Sequence, residues 1–564
     1  MEMSTKSPKL PDHGEPAISR RVFLKTLLAA SGAAWLGGLS SPYWGTLPWG
    51  HAPRKRIPGQ LLGPSASLGH QLRDHHAFPS PTQAIETDVV IVGGGISGLS
   101  AAWWLKKQGF HHFRLLELEN HVGGNAHSGQ NQVSAYPWGA HYVPLPSENA
   151  HYVRTLFEEL GVIEGYAANG LPIYNELYLC HEPDERLFKD GRWQDGLIPT
   201  RGAREVDHDE IRRFLALMQQ YRQRIGRDGK RVFSIPVDDS SQDPEWLALD
   251  WLSMQDWLQQ QGFHSKLLHW YVNYCCRDDY GATMKTVSAW AGIHYFAARD
   301  GVAANAQPQA VLTWPAGNGW LVQQLKQQVQ EHIQTQALVY HLENTPSGVT
   351  VDFWDASKQQ SIRVKARQAI FAGPRFVAQR VMPEAPHHAL VRTLDYSPWL
   401  VANLTLKQRP TEGRGAPLAW DNVGYHDHSL GYVVATHQNI TLFPTQTVIT
   451  YYRPLDHTEP HQARRAAYAT SFEQWQDLIL ADLKSMHPDI EDQIEHMDVW
   501  VWGHGMIQPK VGYIWGETRQ QLLEPWGNVH FAHTDMSGIS IFEEAQYRGV
   551  EAAKAVLQHV RALA

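Results

Sequence analysis

Asp88-Val89-Val90-Ile91-Val92-Gly93-Gly94-Gly95-Ile96-Ser97-Gly98 is the stretch that decides the architecture. Residues 89–92 are continuously apolar, the pattern of a strand buried on both faces, and the glycines follow at once. A helical pattern over residues 99–108 closes at Gly109, and residues 113–116 read as a second strand, which together open a βαβ unit. In that setting the G-x-G-x-x-G spacing has a physical meaning. Gly93 permits the tight turn, Gly95 lets the backbone approach a pyrophosphate, and Gly98 lets the helix pack closely on the strand. The phosphates then face the free N–H groups of the helix start, at Ile96 and Ser97. Glu117, with Leu118 beside it, ends the second strand 19 positions after Gly98, where an acid accepts hydrogen bonds from an adenosine ribose. The competing reading of Glu117 is a surface glutamate.

Working outward, 564 residues are several times a usual domain, so two folded domains behind an N-terminal extension are expected. With 43% hydrophobic and 19% charged residues there is ample core for a large cofactor. The net charge of −8, with no Lys/Arg stripe outside the N-terminal segment, excludes the electrostatic footprint of a nucleic-acid binder. Cys180, Cys275 and Cys276 are too few for a disulfide framework and read as small buried hydrophobes. The 31 histidines are scattered, and neighbours such as His75-His76 and His111-His112 point apart on any regular element, so no metal site is expected. The 22 tryptophans suit either a flat-ligand pocket or a large core.

Ser19-Arg20-Arg21-Val22-Phe23-Leu24-Lys25 precedes an apolar, small-residue run at residues 26–39, and the two together resemble a twin-arginine export signal. The run is shorter than the roughly 20 residues a membrane-spanning helix needs. The alternative is a chance Arg-Arg before a buried helix. That route carries folded proteins, which suits a chain that binds its cofactor before export. The twin-arginine machinery is therefore an expected partner and the periplasm the expected destination. No clear A-x-A site follows, which leaves both removal of the segment and its retention as an anchor open. Residues 1–50 are assigned to this signal, and residues 51–83, rich in Pro, Gly, Ser and His, to a linker or an irregular wrap over the surface.

Further along, residues 151–160, 210–224, 245–261 and 471–486 look helical, and residues 348–354 pair as strands with 361–371. A late strand at 529–532 and a helix at 543–560 suggest that the dinucleotide domain recruits its last elements from the C-terminus.

Glu117-Leu118-Glu119-Asn120-His121-Val122-Gly123-Gly124-Asn125 resembles the E-x-x-x-x-x-G-G-R segment of the flavin-containing amine oxidase superfamily, which includes monoamine and polyamine oxidases, protoporphyrinogen oxidase and phytoene desaturases. Asn125 stands where that family usually has Arg, a neutral donor in place of a charge. Tyr136-Pro137-Trp138-Gly139-Ala140-His141-Tyr142 falls where the family's D-x-G-x-x loop passes the isoalloxazine, which implies Gly139, Ala140 and His141 as flavin neighbours. Trp314-Pro315-Ala316-Gly317-Asn318-Gly319-Trp320-Leu321 resembles the start of the family's returning segment. Leu338-Val339-Tyr340 resembles the strand whose backbone meets adenine, with Val339 at its centre, and Ala369-Ile370-Phe371-Ala372-Gly373-Pro374 the strand ending in A-x-P. Asn528-Val529-His530-Phe531-Ala532-His533-Thr534-Asp535 is similar to the closing flavin strand, which implies that Asp535 binds the ribityl chain. The segment from Ser537 to Ala545 then enters the final helix. Backbone N–H groups near Ile541 and Phe542 would stabilise the negative charge of a reduced flavin, the plainer reading being an ordinary helix cap.

The resemblance implies an α/β, two-domain flavoprotein: a Rossmann-like FAD/NAD(P)-binding domain at residues 84–150, 308–377 and 495–564, with a mixed α+β substrate domain at 151–307 and 378–494. FAD is the implied cofactor, rather than a nicotinamide dinucleotide. Hydride would pass from a small organic substrate, an amine among the candidates, to flavin N5 and on to oxygen or a quinone-type acceptor. Two features depart from the amine oxidases. The segment from Ser397 to Leu404, which best fits the strand carrying their Lys near the flavin, offers Ala402 or Asn403 instead, and Ile541 replaces the second aromatic of the amine cage, of which Tyr513 could be the first. Rival readings are therefore an isoprenoid or tetrapyrrole desaturase and a non-catalytic electron relay. For proton handling near the flavin the candidates are His504 and Lys510. Asp278-Asp279-Tyr280, residues 290–295, Trp420-Asp421-Asn422 and Trp502-Gly503-His504 are candidate pocket segments, each equally readable as core.

Overall fold

Val89–Val92 occupies the centre of a five-stranded parallel sheet, in the order Ile333–Gln334, Phe113–Leu116, Val89–Val92, Gln368–Phe371, Val529–Phe531. All four of its side chains are buried, as a strand covered on both faces requires. The computed structural model describes residues 56–440 and 445–562, so the Arg20-Arg21 motif and the apolar run behind it lie outside the described residues.

On one face of the sheet the helices Ile96–Lys107 and Phe542–Ala562 pack together. Glycine sets their approach: a Cβ on Gly549 would stand 2.1 Å from the Ser97 carbonyl oxygen. The other face is covered by Ala337–Thr345, Gly348–Asp355 and Gln360–Ala366, an antiparallel meander to which Gln83–Glu86 adds in parallel. Val90, Val92 and Leu116 bury there against Val339, Val351 and Phe353.

A second, eight-stranded sheet runs Leu61–Leu62, Ile494–Ile507, Tyr396–Leu406, Thr447–Pro454, Tyr432–Val434, Asp421–Gly424, Glu185–Lys189, Arg192–Asp195. The period of two along its strands divides its faces. Leu400, Ala402 and Leu404, with Val499 and Val501, bury against Trp475, Ile479 and Leu483 of the helix Phe472–Met486. Trp399, Val401, Trp500 and Trp502 turn the other way, toward the core built from the helices Glu205–Gln223, Met254–Gln260, Lys266–Tyr280 and Ala289–Ala297.

Three expectations change. The strand Ile494–Ile507, expected within the last cofactor segment from residue 495, pairs along Tyr396–Leu406 in the eight-stranded sheet. The helix expected at 245–261 is interrupted: Ser253 caps a fresh helix at Met254, accepting from the Asp256 N–H. The described part of the expected linker is a strap. Leu61–Leu62 adds to the edge of the eight-stranded sheet, the helix Ala66–Arg73 follows, Phe78 stacks on Tyr340 with ring centroids 4.5 Å apart, and Gln83–Glu86 joins the other sheet.

Candidate functional site

The glycine turn has the geometry its spacing implies. Gly93 has φ +106°, a conformation that favours glycine, and a Cβ on Gly98 would lie 1.9 Å from the Gly93 carbonyl oxygen. Gly95 differs from both, because a Cβ there would meet no atom within 4 Å. It caps the helix Ile96–Lys107, whose start has no side-chain cap. Open space beside an uncapped helix N-terminus suits an anionic group. Gly123 and Gly124 lie across this turn, with the Gly123 N–H donating to the Gly94 carbonyl at 2.8 Å.

Glu117 accepts the Gly94 N–H at 2.6 Å and the Glu119 N–H at 2.8 Å. Burial pushes its carboxyl up to about 7, against the pull of those two N–H groups. Each oxygen keeps a second lone pair, so both can still accept from a ribose hydroxyl.

From this turn a cavity of about 590 Å³ runs between the two sheets. Of the residues singled out by sequence, Gly93, Gly95, Ile96, Ser97, Glu117, Leu118, Gly124, Asn125, Gly139, Ala140, His141, Val339, Ile541, Phe542 and His504 line it. Gly98 lies beneath the turn, as its packing role requires. Asn125 donates through Nδ2 to the Gly505 carbonyl, which ties the double-glycine segment to the long strand of the other sheet.

Three singled-out residues lie elsewhere. The Asp535 carboxylate does not border the cavity: it accepts the Arg375 N–H at 2.7 Å and the Tyr396 hydroxyl at 2.6 Å, while its neighbours His533 and Thr534 face the opening. Tyr513 is buried and donates to the Asp535 carbonyl at 2.7 Å, so it is no part of an aromatic cage. Lys510 pairs with Asp395 at 2.6 Å, is 43% exposed, and faces away from the cavity. The expected Lys position also resolves differently. Ala402 faces away, Asn403 is held by the Pro137 carbonyl and the Thr450 hydroxyl, and Trp399 and Val401 take the cavity side.

The end of the cavity away from the glycine turn is acidic and aromatic. Asp278 and Asp279 line it, on the last turn of the helix Lys266–Tyr280, with Tyr274 one turn earlier. The Tyr142 hydroxyl donates to Asp278 at 3.3 Å and the Tyr274 hydroxyl to Asp421 at 3.3 Å. Burial pushes Asp278 up to about 7, helped by Asp279; Asp421 rises for the same reason, helped by Asp278 and Glu185. Arg299 is bound to Asp279 and lies over the Tyr295 ring at 4.1 Å. His141 stacks on Tyr452 with centroids 4.5 Å apart, and burial draws it down to about 4. His504 stacks on Phe376 at 4.3 Å and burial draws it down to about 3, so both rings are neutral at pH 7.

Sequence reasoning missed Arg299, Tyr452, Trp399 and Trp500. The alternation of their strands was the available signal for the last three. Sequence reasoning allowed that the segment before residue 84 wraps the surface but gave it no place at the cavity, which Ser65, Ala66, Gly69 and His70 line. Ser65 binds the Glu119 carboxylate through its N–H at 2.8 Å and its hydroxyl at 2.6 Å. Of the other pocket segments, Tyr280 and Trp290 are core, the Tyr280 hydroxyl being spent on the Ala291 carbonyl.

Known proteins share this arrangement. The model of the flavin containing amine oxidoreductase family matches residues 96–557. Oxidoreductase PigB of Serratia sp. (strain ATCC 39006) is 24% identical over 295 residues, 48% of this chain and 41% of that protein, so the match spans less than half of that relative's length. A putrescine oxidase structure with bound putrescine superposes with a TM-score of 0.62 at 17% identity, covering 84% of this chain and 100% of that one. Cyclohexylamine oxidase from Brevibacterium oxydans IH-35A does so with a TM-score of 0.60 at 17% identity, covering 85% of this chain and 100% of that one. With a glycine turn, a cavity between two sheets and a family match over most of its length, the chain belongs to the flavin containing amine oxidoreductases and is an FAD-dependent enzyme.

Proposed function

We propose that the enzyme oxidises an amine that enters the cavity as a cation. The observation that carries this reading is the charge of the wall away from the glycine turn. Asp278, Asp279 and Glu543 face one arginine, Arg299, which Asp279 already neutralises, and Asp421 and Glu185 stand behind. An ammonium group gains from that cluster of carboxyl groups, which its charge draws toward ionisation, and from the rings of Tyr142, His141 and Tyr452. An apolar isoprenoid would desolvate the same carboxylates without any compensating charge.

The residues that would hold FAD fall in order along the cavity. Gly95, Ile96 and Ser97 would receive the pyrophosphate, with Gly124 and Asn125 opposite; Glu117, Leu118 and Val339 would frame the adenosine. Thr534, in place of Asp535, would meet the ribityl hydroxyls. Gly139, Ala140 and His141 would border the ring, and the N–H groups of Ile541 and Phe542 would face its developing negative charge. FAD supplies a two-electron acceptor when bound, with oxygen or a quinone-type molecule as the final oxidant. The neutral His141 and His504 keep that end of the cavity free of competing positive charge.

Anaerobic titration of the holoenzyme with monoamines, diamines, a polyene and a reduced tetrapyrrole tests this, read as bleaching of the flavin absorbance. Bleaching by amines is expected; bleaching by the polyene or tetrapyrrole alone would replace this reading with the desaturase. Export through the twin-arginine route is part of the same proposal, supported by the motif at residues 19–25. Replacing Arg20 and Arg21 together with Lys should leave the enzyme in the cytoplasm, measured by fractionation.

A further inference from the structure

One carboxylate of the acidic wall has an oxygen with no partner of its own among the described residues. Glu543 stands in the first turn of the helix Phe542–Ala562, next to Ile541 and Phe542, and is 3% exposed. Its Oε2 is buried and has no hydrogen-bond partner among the described residues. The other carboxylates that line the cavity each hold a partner: Asp279 holds Arg299, Asp278 accepts from Tyr142, Glu119 binds Ser65, and Glu117 accepts two backbone N–H groups. Glu544 also keeps a buried Oε2 without a partner among the described residues, but it accepts the Val237 N–H at 2.6 Å and does not line the cavity. A buried acceptor left unpaired is costly, and a purely structural glutamate would not return that cost. An unpaired acceptor on a residue of the cavity wall can take a donor that arrives with the ligand once its side chain turns toward it.

An amine supplies such a donor and also a chemical need. It binds as an ammonium, yet its α-carbon can be oxidised only once the nitrogen lone pair is free. We propose that Glu543 accepts the proton from the bound substrate ammonium, an inference that rests on the amine reading. The step is R-CH₂-NH₃⁺ plus the Glu543 carboxylate giving R-CH₂-NH₂ plus the Glu543 carboxylic acid. One N–H bond breaks, one O–H bond forms, and no electrons are transferred.

The cavity's histidines fit this task less well. His141 and His504, held near 4 and 3 by burial, are too weak to take a proton at neutral pH. Around Glu543 the facing charges are Arg299 and Asp279 from across the cavity and Glu544 from its own helix. Burial disfavours its charge, Arg299 supports it, and Glu544 and Asp279 oppose it. The result is an acid pushed up to about 7, matched to giving and taking a proton near neutrality.

The test is the pH profile of anaerobic flavin reduction by an amine in the holoenzyme and in Glu543→Gln and Glu543→Asp, each checked for flavin content and thermal midpoint. In the unsubstituted enzyme the rate should rise with pH through a limb near 7. Glu543→Gln should lose that limb and fall about 10²-fold at pH 7, within the usual range for a general base, and recover above the pKa of the amine itself. Glu543→Asp should keep a displaced limb, which secures the test should glutamine unsettle the fold. Infrared titration without substrate adds a readout independent of turnover: a carboxyl C=O band that titrates near neutrality and is missing in Glu543→Gln. Profiles of Glu543→Gln and the unsubstituted enzyme that superimpose would overturn the role of Glu543 and leave the amine reading standing. A flavin that no amine bleaches would overturn both.

Discussion

Glu117 and Glu543 are both buried at the cavity, and burial pushes both up to about 7, yet the two have opposite surroundings. Glu117 is fixed by two backbone N–H groups, at a wall made of glycine turns and strand ends. Glu543 has an oxygen with no partner among the described residues, at a wall of carboxylates and aromatic rings. The contrast separates two kinds of site. One end is built from backbone and tolerates little change, because recognition there depends on close approach. The other is built from side chains whose charge is held unbalanced for an incoming ligand.

The most severe way to break the first end is Gly98→Ala, whose new methyl group would stand 1.9 Å from a backbone oxygen. We expect FAD affinity to fall by about 100-fold, roughly 3 kcal/mol of overpacking, measured by flavin fluorescence on dilution. At the second end, Asp278→Asn should leave flavin content unchanged and weaken amine binding by about tenfold or more, as loss of one partner of a buried charge pair does. Equal loss of flavin in both variants would erase the distinction between the ends.

The pH dependence of stability should carry both classes of buried group. Glu117, Glu185, Asp278 and Glu543 are raised to about 7, so between about pH 4.5 and 7 the folded chain binds more protons at these groups than the unfolded chain, and their contribution to stability is lost as pH rises through that window. His127, His141, His294, His487, His504 and His530 are lowered to about 3 or 4 by burial, so the unfolded chain binds more protons below about 6.5, and stability falls again on acidification. The thermal midpoint of the apoprotein should therefore peak near pH 6.5 and drop by several degrees toward pH 5 and pH 8. A midpoint that climbs steadily to pH 8 would show that these carboxylates are ionised in the fold.

Smaller effects come from the strap and the surface. Ser65→Ala removes one hydrogen bond to Glu119, and FAD release should quicken about fivefold, in line with roughly 1 kcal/mol for a part-buried bond to a charged group. Lys510→Ala should change neither flavin content nor reduction rate, because an exposed ion pair contributes about 0–1 kcal/mol.

The backbone-built end was largely legible in the sequence, because its signals are local. An apolar run, three spaced glycines and an acid after the next strand fix one another over 30 consecutive residues, 88–117. The side-chain end was not, since Asp278, Arg299, Tyr452 and Trp500 come together only through the sheet. Lys510 and Tyr513 were credited for chemical type, but the turn after Ile494–Ile507 carries them past the cavity. Asp535 was one residue out of place, with Thr534 and His533 taking the cavity side. The strap was legible only as a linker or an irregular wrap, because its helix has no fully buried residue and its first strand has two residues, too little for any period to register.

That strap reverses the order of synthesis. Gln60 donates its backbone N–H to the Asp498 carboxylate, 438 positions later, and Leu61 pairs with Val499. A segment made among the first can therefore settle only after strands made near the end are in place, and contacts so distant in sequence form late. Until then the side of the cleft at Glu117 and Glu119 stands without its cover. A newly made chain thus passes through an interval in which the cavity floor exists and the way in is still wide, and a dinucleotide that arrives then is enclosed by the last movement of folding.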